Sequence, residues 1–456
     1  MNAIGTAILG VLVFVVLFGS RRWAMLAMVG GVLCLTQAEV TEVFGINFFA
    51  ARFLEMAGFA RVWARKEFSF SRLTPLDSAF LALYSYTTLV FMLRSSQDWA
   101  YQIGVTVDAF LCYFTFRGLV EDIEDFQWFL RAFVLLLLPY VAIVSVEMVT
   151  GRNPFALLGE TSASAVFRDG RLRCTGSFRH PSLLGSLGAT FLPLYVGLML
   201  QERKRILPVA GIGACLGIVA LSNSGGPLSS AIFGAAGWLF WCLRRKMYVV
   251  RRAMVGLIIL AALFMKAPVW YLPARVSSVS GGDGWHRSYL LDVAIRNIEQ
   301  WWLAGMPIAQ TKDWFPYVLT ISGGADITNQ YISFGISGGL MAIALFILLL
   351  TRGFRSLGQA RDVASSESPA PSGKEFLLWG LGVMLSVHAV NLLGITYFDQ
   401  FYVIWFMQLA AISSLSHIVA EPVGEDAKAF LETGEVSISP AESGVSVSFG
   451  RDSKTI

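Results

Sequence analysis

The sequence predicts an all-α polytopic membrane protein with about 12 or 13 transmembrane helices and a large extracytoplasmic loop that contains an amphipathic helix. Hydrophobic residues make up 55% of the 456 residues, charged residues make up only 14%, and the mean hydropathy is +0.62. A soluble domain of this length does not sustain such an apolar composition. Several uncharged runs also approach the ~20 residues that cross a ~30 Å hydrocarbon layer as a helix, whereas the apolar strands of soluble α/β proteins are short.

About 13 apolar runs account for the predicted helices, judged by the length that a membrane-crossing helix needs. No basic segment precedes the first run and no A-x-A site follows it, so we expect a membrane helix there rather than a cleaved signal peptide. Charged residues at Glu39, Glu42, Arg52 and Glu55 interrupt or flank the second and third runs, which leaves open whether one of them is interfacial or re-entrant. The runs are residues 3–19, 24–38, 44–62, 77–94, 103–118, 129–149, 181–200, 206–222, 226–243, 253–270, 330–351, 376–395 and 400–418.

Short basic connections predict the orientation of the second half of the chain. Residues 201–205, 243–252 and 351–361 are rich in Lys and Arg, which are retained in the cytoplasm when they lie in short loops. All three agree with one topology. Under it, residues 150–180 and 271–329 form a first and a large second extracytoplasmic loop, which in a bacterium face the periplasm.

Composition and charge also predict the domain organisation and limit the kinds of binding partner. Residues 1–420 are predicted to form a single transmembrane domain, and residues 421–456, rich in Ser, Gly and Glu, a disordered cytoplasmic tail. The net charge is only +4, and the basic clusters lie beside apolar segments, so membrane orientation explains them better than nucleic acid. The five cysteines lack metal-ligand spacing such as CxxC, so no disulfide framework is expected.

The first outward loop is rich in arginine and contains no lysine. Positive charge on the translocated side opposes the usual orientation bias, so we expect a compensating function. A guanidinium offers a fork of donors that matches phosphate oxygens and is less strongly hydrated than an ammonium group, which favours a lipid pyrophosphate headgroup as its ligand. The alternative is contact with ordinary anionic headgroups, or pairing with Glu147, Glu160 and Asp169. The arginines are Arg152, Arg168, Arg171, Arg173 and Arg179.

Within this loop, Arg173, Arg179 and His180 bracket the sequence "TGSF" and precede Pro181. Proline is favoured in the first turn of a helix. Because the backbone donors of a helix N-terminus attract anions, the arginines would reinforce an anion site here.

The second outward loop contains Arg275, His286, Arg287 and Arg296. From Trp285 onward it predicts an amphipathic helix at the membrane surface, with Trp301 and Trp302 at headgroup level. A purely structural surface helix is the preferred interpretation for the helix as a whole, whereas His286 and Arg287 at its start are site candidates. The apolar stripe is Leu291, Ile295, Ile298 and Trp302, and Asp292 with Arg296 forms an i, i+4 ion pair.

Polar residues near apolar helices are further candidates. His388 and Asn391 are spaced i, i+3 in an apolar run, where a polar pair either joins helices or lines a substrate path. Asn329, at the end of the long loop, is a third candidate for lining the substrate.

Four blocks of the chain resemble the O-antigen ligase and polymerase superfamily of bacterial glycosyltransferases, which act on lipid-linked glycans. The "TGSFRHP" block is similar to the family's G-x-F-x-(H/N)-P turn, and the order and spacing of the blocks agree over roughly residues 140–350. The blocks are "VEMVTGRNPF", "RCTGSFRHPSLLGSLGATFLPL", "LSNSGGPLSS" and "DITNQYISFGISGGLMAIALFILLL".

Two departures from the family matter. Members often have Ser-Arg-Gly where this chain has Ser224, Gly225 and Gly226, so an expected arginine is missing. Ligases also tend to place a histidine before an asparagine at the end of the long loop, where this chain has Asp326 three residues before Asn329. The usual candidate base is therefore absent, which favours polymerisation over ligation.

The resemblance implies inverting glycosyl transfer at the periplasmic face of the bacterial inner membrane, with no metal and no other cofactor. Neither outward loop has a DxD motif. We expect Arg173, Arg179 and Arg287, with Arg171 and Arg275, to bind the pyrophosphate of a polyprenyl-linked glycan donor. His286, Asp326 and His180 stay open as the general base for a glycan or lipid-linked acceptor.

Other functions stay open. A ligase or protein O-oligosaccharyltransferase of the same superfamily is one alternative. A lipid-linked sugar transporter or flippase would use charges near the bilayer middle, for which Glu42, Glu55, Asp108 and His388 are candidates. A non-catalytic scaffold would instead assemble with other polysaccharide export proteins. Membrane lipids are expected partners under every reading, and nucleic acid under none.

Overall fold

The computed structural model describes residues 2–36, 40–43, 46–94, 99–159, 164, 166–168, 170–272, 274–275, 284–314, 323–366 and 372–420. The predicted disordered tail, Glu160 and Asp169 lie outside these residues. Almost all of the described chain is helical, so the all-α class is confirmed. The helices are α1 (Ala3–Phe18), α2 (Arg21–Cys34), α3 (Ala50–Ala64), α4 (Pro75–Arg94), α5 (Trp99–Leu119), α6 (Ile123–Thr150), α7 (Pro181–Gln201), α8 (Ile206–Ser222), α9 (Gly225–Leu239), α10 (Met247–Phe264), α11 (Gly284–Arg296), α12 (Ile298–Trp301), α13 (Gln330–Ser366), α14 (Gly373–Asn391) and α15 (Phe401–Ala420).

Short elements join these helices. Strand β1 (Val40–Val43) pairs antiparallel with β2 (Ile46–Phe49), and β3 (Val166–Arg168) pairs antiparallel with β4 (Arg171–Arg173). The first hairpin occupies the start of the run predicted as a span over residues 44–62, so the helix there begins only at Ala50. Five 3-10 turns complete the described elements, namely Phe70–Arg72, Pro154–Leu158, Phe240–Lys246, Val269–Tyr271 and Ile308–Trp314.

Six helical segments in the described part of the chain are long and apolar enough to cross a membrane. The protein is therefore a multi-pass membrane protein by helix length and composition. Two shorter apolar helices, Ala3–Phe18 and Ile206–Ser222, accompany them. The six segments are Pro75–Arg94, Ile123–Thr150, Pro181–Gln201, Gly225–Phe264, Gln330–Ser366 and Phe401–Ala420.

Helices α7 and α15 lie at the centre of the bundle. In each of the two helices, 83% of the most apolar stretch is buried inside the protein. Helix α7 packs against α8, α9 and α14, and α15 packs against α5 and α13. Small residues permit the close approach, since a Cβ at Gly188 would come within 2.4 Å of the Cys215 carbonyl oxygen. This packing brings the start of α7 next to the start of α9.

Helix α13 is broken near its start. Gly339 has a positive φ of 73°, and its neighbour Gly338 is also non-helical. The break is held by neighbouring backbone, because Leu340 N–H donates to the Trp302 carbonyl at 2.8 Å. Arg94 at the end of α4 donates to the Ile336 carbonyl at 3.0 Å. The second loop is thereby attached to the bundle through α12 and the start of α13.

The predicted surface helix of the second loop differs in two respects. It ends at Arg296, and Asn297 separates it from the single turn of α12. Trp301 was expected at headgroup level, but that prediction is wrong, because its side chain is buried and its indole N–H donates to the Ala294 carbonyl at 2.9 Å. Trp302 is exposed. The predicted ion pair of Asp292 with Arg296 is confirmed at 2.7 Å.

Candidate functional site

The β3–β4 hairpin carries three arginines. Arg168 and Arg171 are paired positions at its tip, where Gly170 has a φ of 72°. Arg171 is exposed, whereas Arg173 at the end of β4 is buried. The Arg173 Nη2 atom donates to the Ser224 hydroxyl at 3.1 Å. The hairpin thus directs Arg173 inward, to the start of α9.

Glu147 at the end of α6 holds the turn that follows. Its carboxylate accepts the backbone N–H groups of Thr175 and Gly176, each at 2.9 Å. Gly176 has a φ of 56°, and a Cβ there would lie 2.6 Å from the Tyr140 hydroxyl, so only glycine fits. The alternative that Glu147 neutralises the loop arginines is therefore wrong, because backbone donors and the Thr175 hydroxyl take its oxygens.

His180 caps the N-terminus of α7, and Pro181 is its first residue, as predicted. The His180 Nδ1 atom accepts the Ser182 N–H at 3.1 Å. A nitrogen that accepts a backbone N–H carries no proton, so the neutral imidazole bears its proton on Nε2. The Nε2–H group of His180 can therefore donate a hydrogen bond to a ligand.

The surroundings of His180 are strongly positive. Lost hydration is the largest cause that lowers the pKa of His180 to about 4, followed by the charges of Arg173, Arg287 and Arg168. The His180 side chain is nevertheless exposed to solvent, so it lies at the surface of the bundle rather than in the core. A potential that resists protonation of a histidine attracts an anion.

Two serines join the starts of α7 and α9. The Ser182 and Ser224 hydroxyls are hydrogen-bonded at 2.8 Å, and both side chains are buried. Gly185 permits this approach, since a Cβ there would lie 2.7 Å from the ring of Pro227. Two helix N-termini, each with a partial positive charge, therefore lie side by side next to Arg173.

Arg287 reaches the same place from the second loop. Its guanidinium lies against two glycines, where a Cβ at Gly226 would be 3.0 Å from Nη2 and a Cβ at Gly394 would be 2.9 Å from Cζ. Gly226 is in the first turn of α9. Of the predicted residues, Arg173, His180 and Arg287 are thus brought together. With Arg168, Ser182 and Ser224 they form one group, the cationic cluster.

Asp326 lies within electrostatic reach of His286. Asp326 lies in the segment before α13, where partial burial raises the pKa of its carboxyl group while the charge of His286 lowers it. Solvent reaches the Asp326 side chain. His286 directly precedes Arg287 in the first turn of α11.

The other predicted arginines have different surroundings. Arg179 is half exposed and forms an ion pair with Asp399, whose Oδ2 lies 3.7 Å from its Nε. Arg171 and Arg275 are both exposed, and the segment of Arg275 is attached to α11 through a 3.1 Å hydrogen bond from Ala274 N–H to the Ser288 hydroxyl. A role in binding stays a prediction for these three.

The predicted substrate-lining residues lie in buried networks. Asn391 donates to the Ser186 hydroxyl at 2.6 Å and accepts from the Ser230 hydroxyl at 3.2 Å, which joins α14 to α7 and α9. The two ring nitrogens of His388 are hydrogen-bonded to Tyr397 and Gln408. Asn329 caps the start of α13 and donates to the Leu393 carbonyl at 3.1 Å. These contacts favour the helix-joining alternative for the pair in α14.

Several residues of the cluster could not be singled out from the sequence. Ser182 and Ser224 are ordinary small residues at helix starts, and Arg168 is one of several loop arginines. Asp399 gives the one usable signal, since a carboxylate between two apolar runs requires a partner. Among the described residues, no group of three or more His, Cys, Asp or Glu side chains could hold a metal ion.

No family model matches this chain, and no curated protein matches it.

Proposed function

We propose that this protein polymerises lipid-pyrophosphate-linked oligosaccharide units into exopolysaccharide or O-antigen, by inverting and metal-independent glycosyl transfer. The observation that carries the proposal is the convergence of three guanidinium charges on His180 at the paired starts of α7 and α9. A diphosphate leaving group needs charge stabilisation more than protonation, and fixed donors of this kind provide it.

Each part of the cluster has a role in this reaction. Arg173 and Arg287 bind the diphosphate, and Arg168 adds to the positive potential. His180 donates from Nε2 to a phosphate oxygen, because its Nδ1 is already an acceptor for Ser182 N–H. This assignment removes His180 from the three candidate bases.

The acceptor hydroxyl is activated by the His286 and Asp326 pair. The negative charge of Asp326 favours the protonated form of His286, so His286 takes the proton of the acceptor hydroxyl and Asp326 stabilises the resulting charge. The sugar's anomeric carbon then forms a bond to the acceptor oxygen as its bond to the diphosphate breaks. A single displacement of this type inverts the anomeric centre.

The proposed location is the periplasmic face of the bacterial inner membrane, with about 12 or 13 membrane-crossing helices. The starts of α7 and α9 share one side of the bundle with both arginine-bearing loops. The basic segments after α7 and α9 lie at the opposite helix ends, where Arg244 pairs with Glu375 at 2.9 Å. Such basic segments favour the cytoplasmic side.

The resemblance to the O-antigen ligase and polymerase superfamily gains support from one contact. The arginine that this family has at the start of α9 is missing here, and the Arg287 guanidinium lies against Gly226 in the first turn of that helix. Asp326 occupies the region where ligases tend to have a histidine, which favours a polymerase. A ligase that uses a lipid or protein acceptor is the alternative within the same chemistry.

The transporter alternative has less support. Its candidate Asp108 is engaged in a two-bond ion pair with Arg52, with both N–O distances at 2.6 Å. His388 is fully buried between two hydrogen-bond partners. Arg173 and Arg287 instead lie on one side of the bundle, at the start of α9.

The test uses purified protein in lipid nanodiscs with a polyprenyl-pyrophosphate oligosaccharide. The wild type should form longer lipid-linked glycans. Arg287→Gln should lower the rate about 100-fold, since removal of one such donor typically costs that much. Asp326→Asn should lower the rate and shift its pH profile. Arg355→Gln, an exposed arginine at the other end of α13, is the matched control.

Other outcomes select the other functions. Lipid scrambling with unchanged glycan length would identify a transporter. Transfer to a lipid core or protein in place of a second lipid-linked glycan would identify a ligase. Full polymer output in cells that carry Arg287→Gln or Asp326→Asn, at normal protein levels, would leave only the scaffold.

A further inference from the structure

Helix α3 carries a glutamate that faces the interior of the bundle. Glu55 is only 5% exposed. Gly58, one turn further along α3, lies so close to α5 that a Cβ there would come within 2.6 Å of the Thr115 side chain. Among the residues that the structure describes, none donates a hydrogen bond to the Oε2 atom of Glu55. A buried carboxylate without donors is costly, so Glu55 requires either a cation or a proton.

Arg52 lies one turn before Glu55, but its guanidinium is bonded to another acid. Its Nε and Nη2 atoms donate to the two carboxylate oxygens of Asp108 in α5, both at 2.6 Å. Gly104 gives the guanidinium room against α5, since a Cβ there would lie 3.1 Å from Nη2. The charge of Asp108 acts on Glu55 more strongly than the opposite charge of Arg52 does. Arg52 therefore neutralises Asp108 and leaves Glu55 without a counter-charge.

The elements that pack against α3 supply Glu55 with no second cation from the described residues. They are α1, α2, α5 and β2, and neither α1 nor β2 contains a charged side chain. The other basic residues of α2, α3 and α5 lie near the opposite end of the bundle and pair with other carboxylates, namely Arg21, Arg22, Arg61 and Arg117. The remaining titratable side chains of α2 and α5 are thiols and phenols, which are neutral at pH 7, namely Cys34, Cys112, Tyr101 and Tyr113. A proton is thus the remaining means of neutralising Glu55.

A groove between α3 and α5 leads to these residues. Its volume is about 740 Å³, and apolar side chains such as Met56 and Val107 line it. Arg52 and Gly104 also line the groove, so it extends to the ion pair beside Glu55.

We propose that Arg52, Glu55 and Asp108 form a proton-binding site within the membrane, with the proton held on Glu55 and reached from the groove between α3 and α5. The three side chains then carry one positive and one negative charge, so the site is neutral in hydrocarbon. Loss of the proton adds a second carboxylate that competes with Asp108 for Arg52, so proton binding strengthens the contact of α3 with α5. None of these residues belongs to the cationic cluster, so this inference does not rest on the proposed function.

Infrared spectroscopy of the protein in lipid nanodiscs tests for the proton directly. A protonated carboxyl group has a carbonyl band that moves to lower frequency in D2O, whereas a carboxylate lacks this band. At pH 7 the wild type should show such a band that is absent from Glu55→Gln. The band should be retained in Glu124→Gln, which changes an exposed residue of α6. Identical carbonyl bands in the wild type and Glu55→Gln would overturn the proposal.

A second measurement uses the wild type alone, with the apolar reagent dicyclohexylcarbodiimide. A Glu55 oxygen bonds to the central carbon of the reagent as the carboxyl proton passes to one of its nitrogens, and rearrangement to an N-acylurea retains all atoms of both. Mass spectrometry at pH 7 should find the label on Glu55, with at least about tenfold less on Asp77, whose buried carboxylate is bonded to Arg117. Equal labelling of Asp77 would overturn the proton on Glu55, and no label on Glu55 would overturn access from the groove.

Asp108→Asn tests whether the two acids share one guanidinium. The variant frees Arg52 to neutralise an ionised Glu55, so labelling of Glu55 should fall about tenfold, the effect of about 1.4 kcal/mol of charge interaction. A purely structural role of Asp108 would not protect Glu55 from the reagent. Asp362→Asn, which changes an exposed acid of α13, is the matched control. Unchanged labelling of Glu55 in Asp108→Asn would overturn the shared site.

Discussion

The guanidinium of Arg287 lies against the α-carbon of Gly226, although the two residues belong to different loops and helices. A Cβ at position 226 would lie only 3.0 Å from Nη2, which is closer than ordinary van der Waals contact, so the guanidinium would have to move by a few tenths of an ångström. The contact explains why a turn without an arginine of its own can still take part in a cationic site.

The first prediction concerns Gly226→Ala. Alanine favours a helix over glycine by about 1 kcal/mol, so the protein should be as stable as the wild type or more so. Displacement of the guanidinium by a few tenths of an ångström or more should nevertheless lower polymer formation about tenfold. Gly213→Ala in α8 is the control, because its Cβ would meet nothing within 4 Å. Full activity of Gly226→Ala would show that the position of Arg287 is unimportant.

The second prediction concerns the charge around His180. With a pKa of about 4, this histidine is neutral at pH 7. Removal of a positive neighbour favours the protonated imidazole, so Arg168→Gln should raise the pKa of His180 toward its ordinary value of 6.5. The titration can be followed by NMR on histidine-labelled protein, with His180→Asn to assign the signal. An unchanged pKa would mean that Arg168 does not contribute to the potential.

The third prediction concerns Glu147. Its replacement by alanine leaves the buried N–H groups of Thr175 and Gly176 without their acceptor, at about 1–3 kcal/mol each. The free energy of unfolding should therefore fall by about 3 kcal/mol. Glu147→Gln keeps one acceptor oxygen, so its free energy of unfolding should lie between those of the wild type and Glu147→Ala. Thermal denaturation measures the order of the stabilities. The control is Glu124→Ala, which changes an exposed residue of the same helix and should alter the stability little. Equal stability of all variants would contradict this role.

The fourth prediction concerns pH and Asp399. Burial raises the pKa of its carboxyl group from 3.8 to about 6, against the opposing effect of Arg179. The folded protein therefore binds more protons than the unfolded chain between these values, and the contribution of Asp399 to stability is lost as the pH rises through about 6. Asp399→Asn should raise the Tm at pH 8 and leave it unchanged at pH 4.

Two details make the Asp399 comparison decisive. Asparagine tolerates the positive φ of 54° at this position, so the backbone is not strained by the change. The exposed Asp362, which pairs with Arg361, provides the matched substitution. A lower Tm for Asp399→Asn at pH 8 would mean that the ion pair with Arg179 outweighs the cost of burying the charge.

The fifth prediction separates the two roles considered for Asn391. If Asn391 joins helices, Asn391→Ala should lower the free energy of unfolding by about 1–2 kcal/mol, while the turnover of each folded molecule persists. Ser386→Ala in the same helix removes a single bond to the Gly382 carbonyl and is the control. Normal stability with lost turnover would instead place Asn391 on the substrate path.

Much of the fold follows from local features of the sequence. The helices coincide closely with the apolar runs, Pro181 begins a helix, and Asp292 pairs with Arg296 one turn away. Each of these depends on residues within a few positions of one another. The break at Asn297 was missed, since the apolar spacing alone is compatible with one continuous helix.

The candidate site was predicted only in part. Arg173, His180 and Arg287 stand out as basic residues of the two arginine-bearing loops, and they do converge. Arg179 stands out for the same reason, although it pairs with Asp399. Glu147 was expected as a possible partner of an arginine, whereas its carboxylate accepts backbone N–H groups. Composition identifies the charge of a loop but not the direction in which each side chain points.

The sequence by itself determined that this is a helical membrane protein and where most of its helices lie, because the length of an apolar run is a local property that the hydrocarbon layer reads directly. Tertiary structure alone decided that Arg287 lies against Gly226 and that Ser182 meets Ser224. Those relationships depend on how closely helices distant in the chain can pack, which here is set by side chains as small as those of glycine and serine.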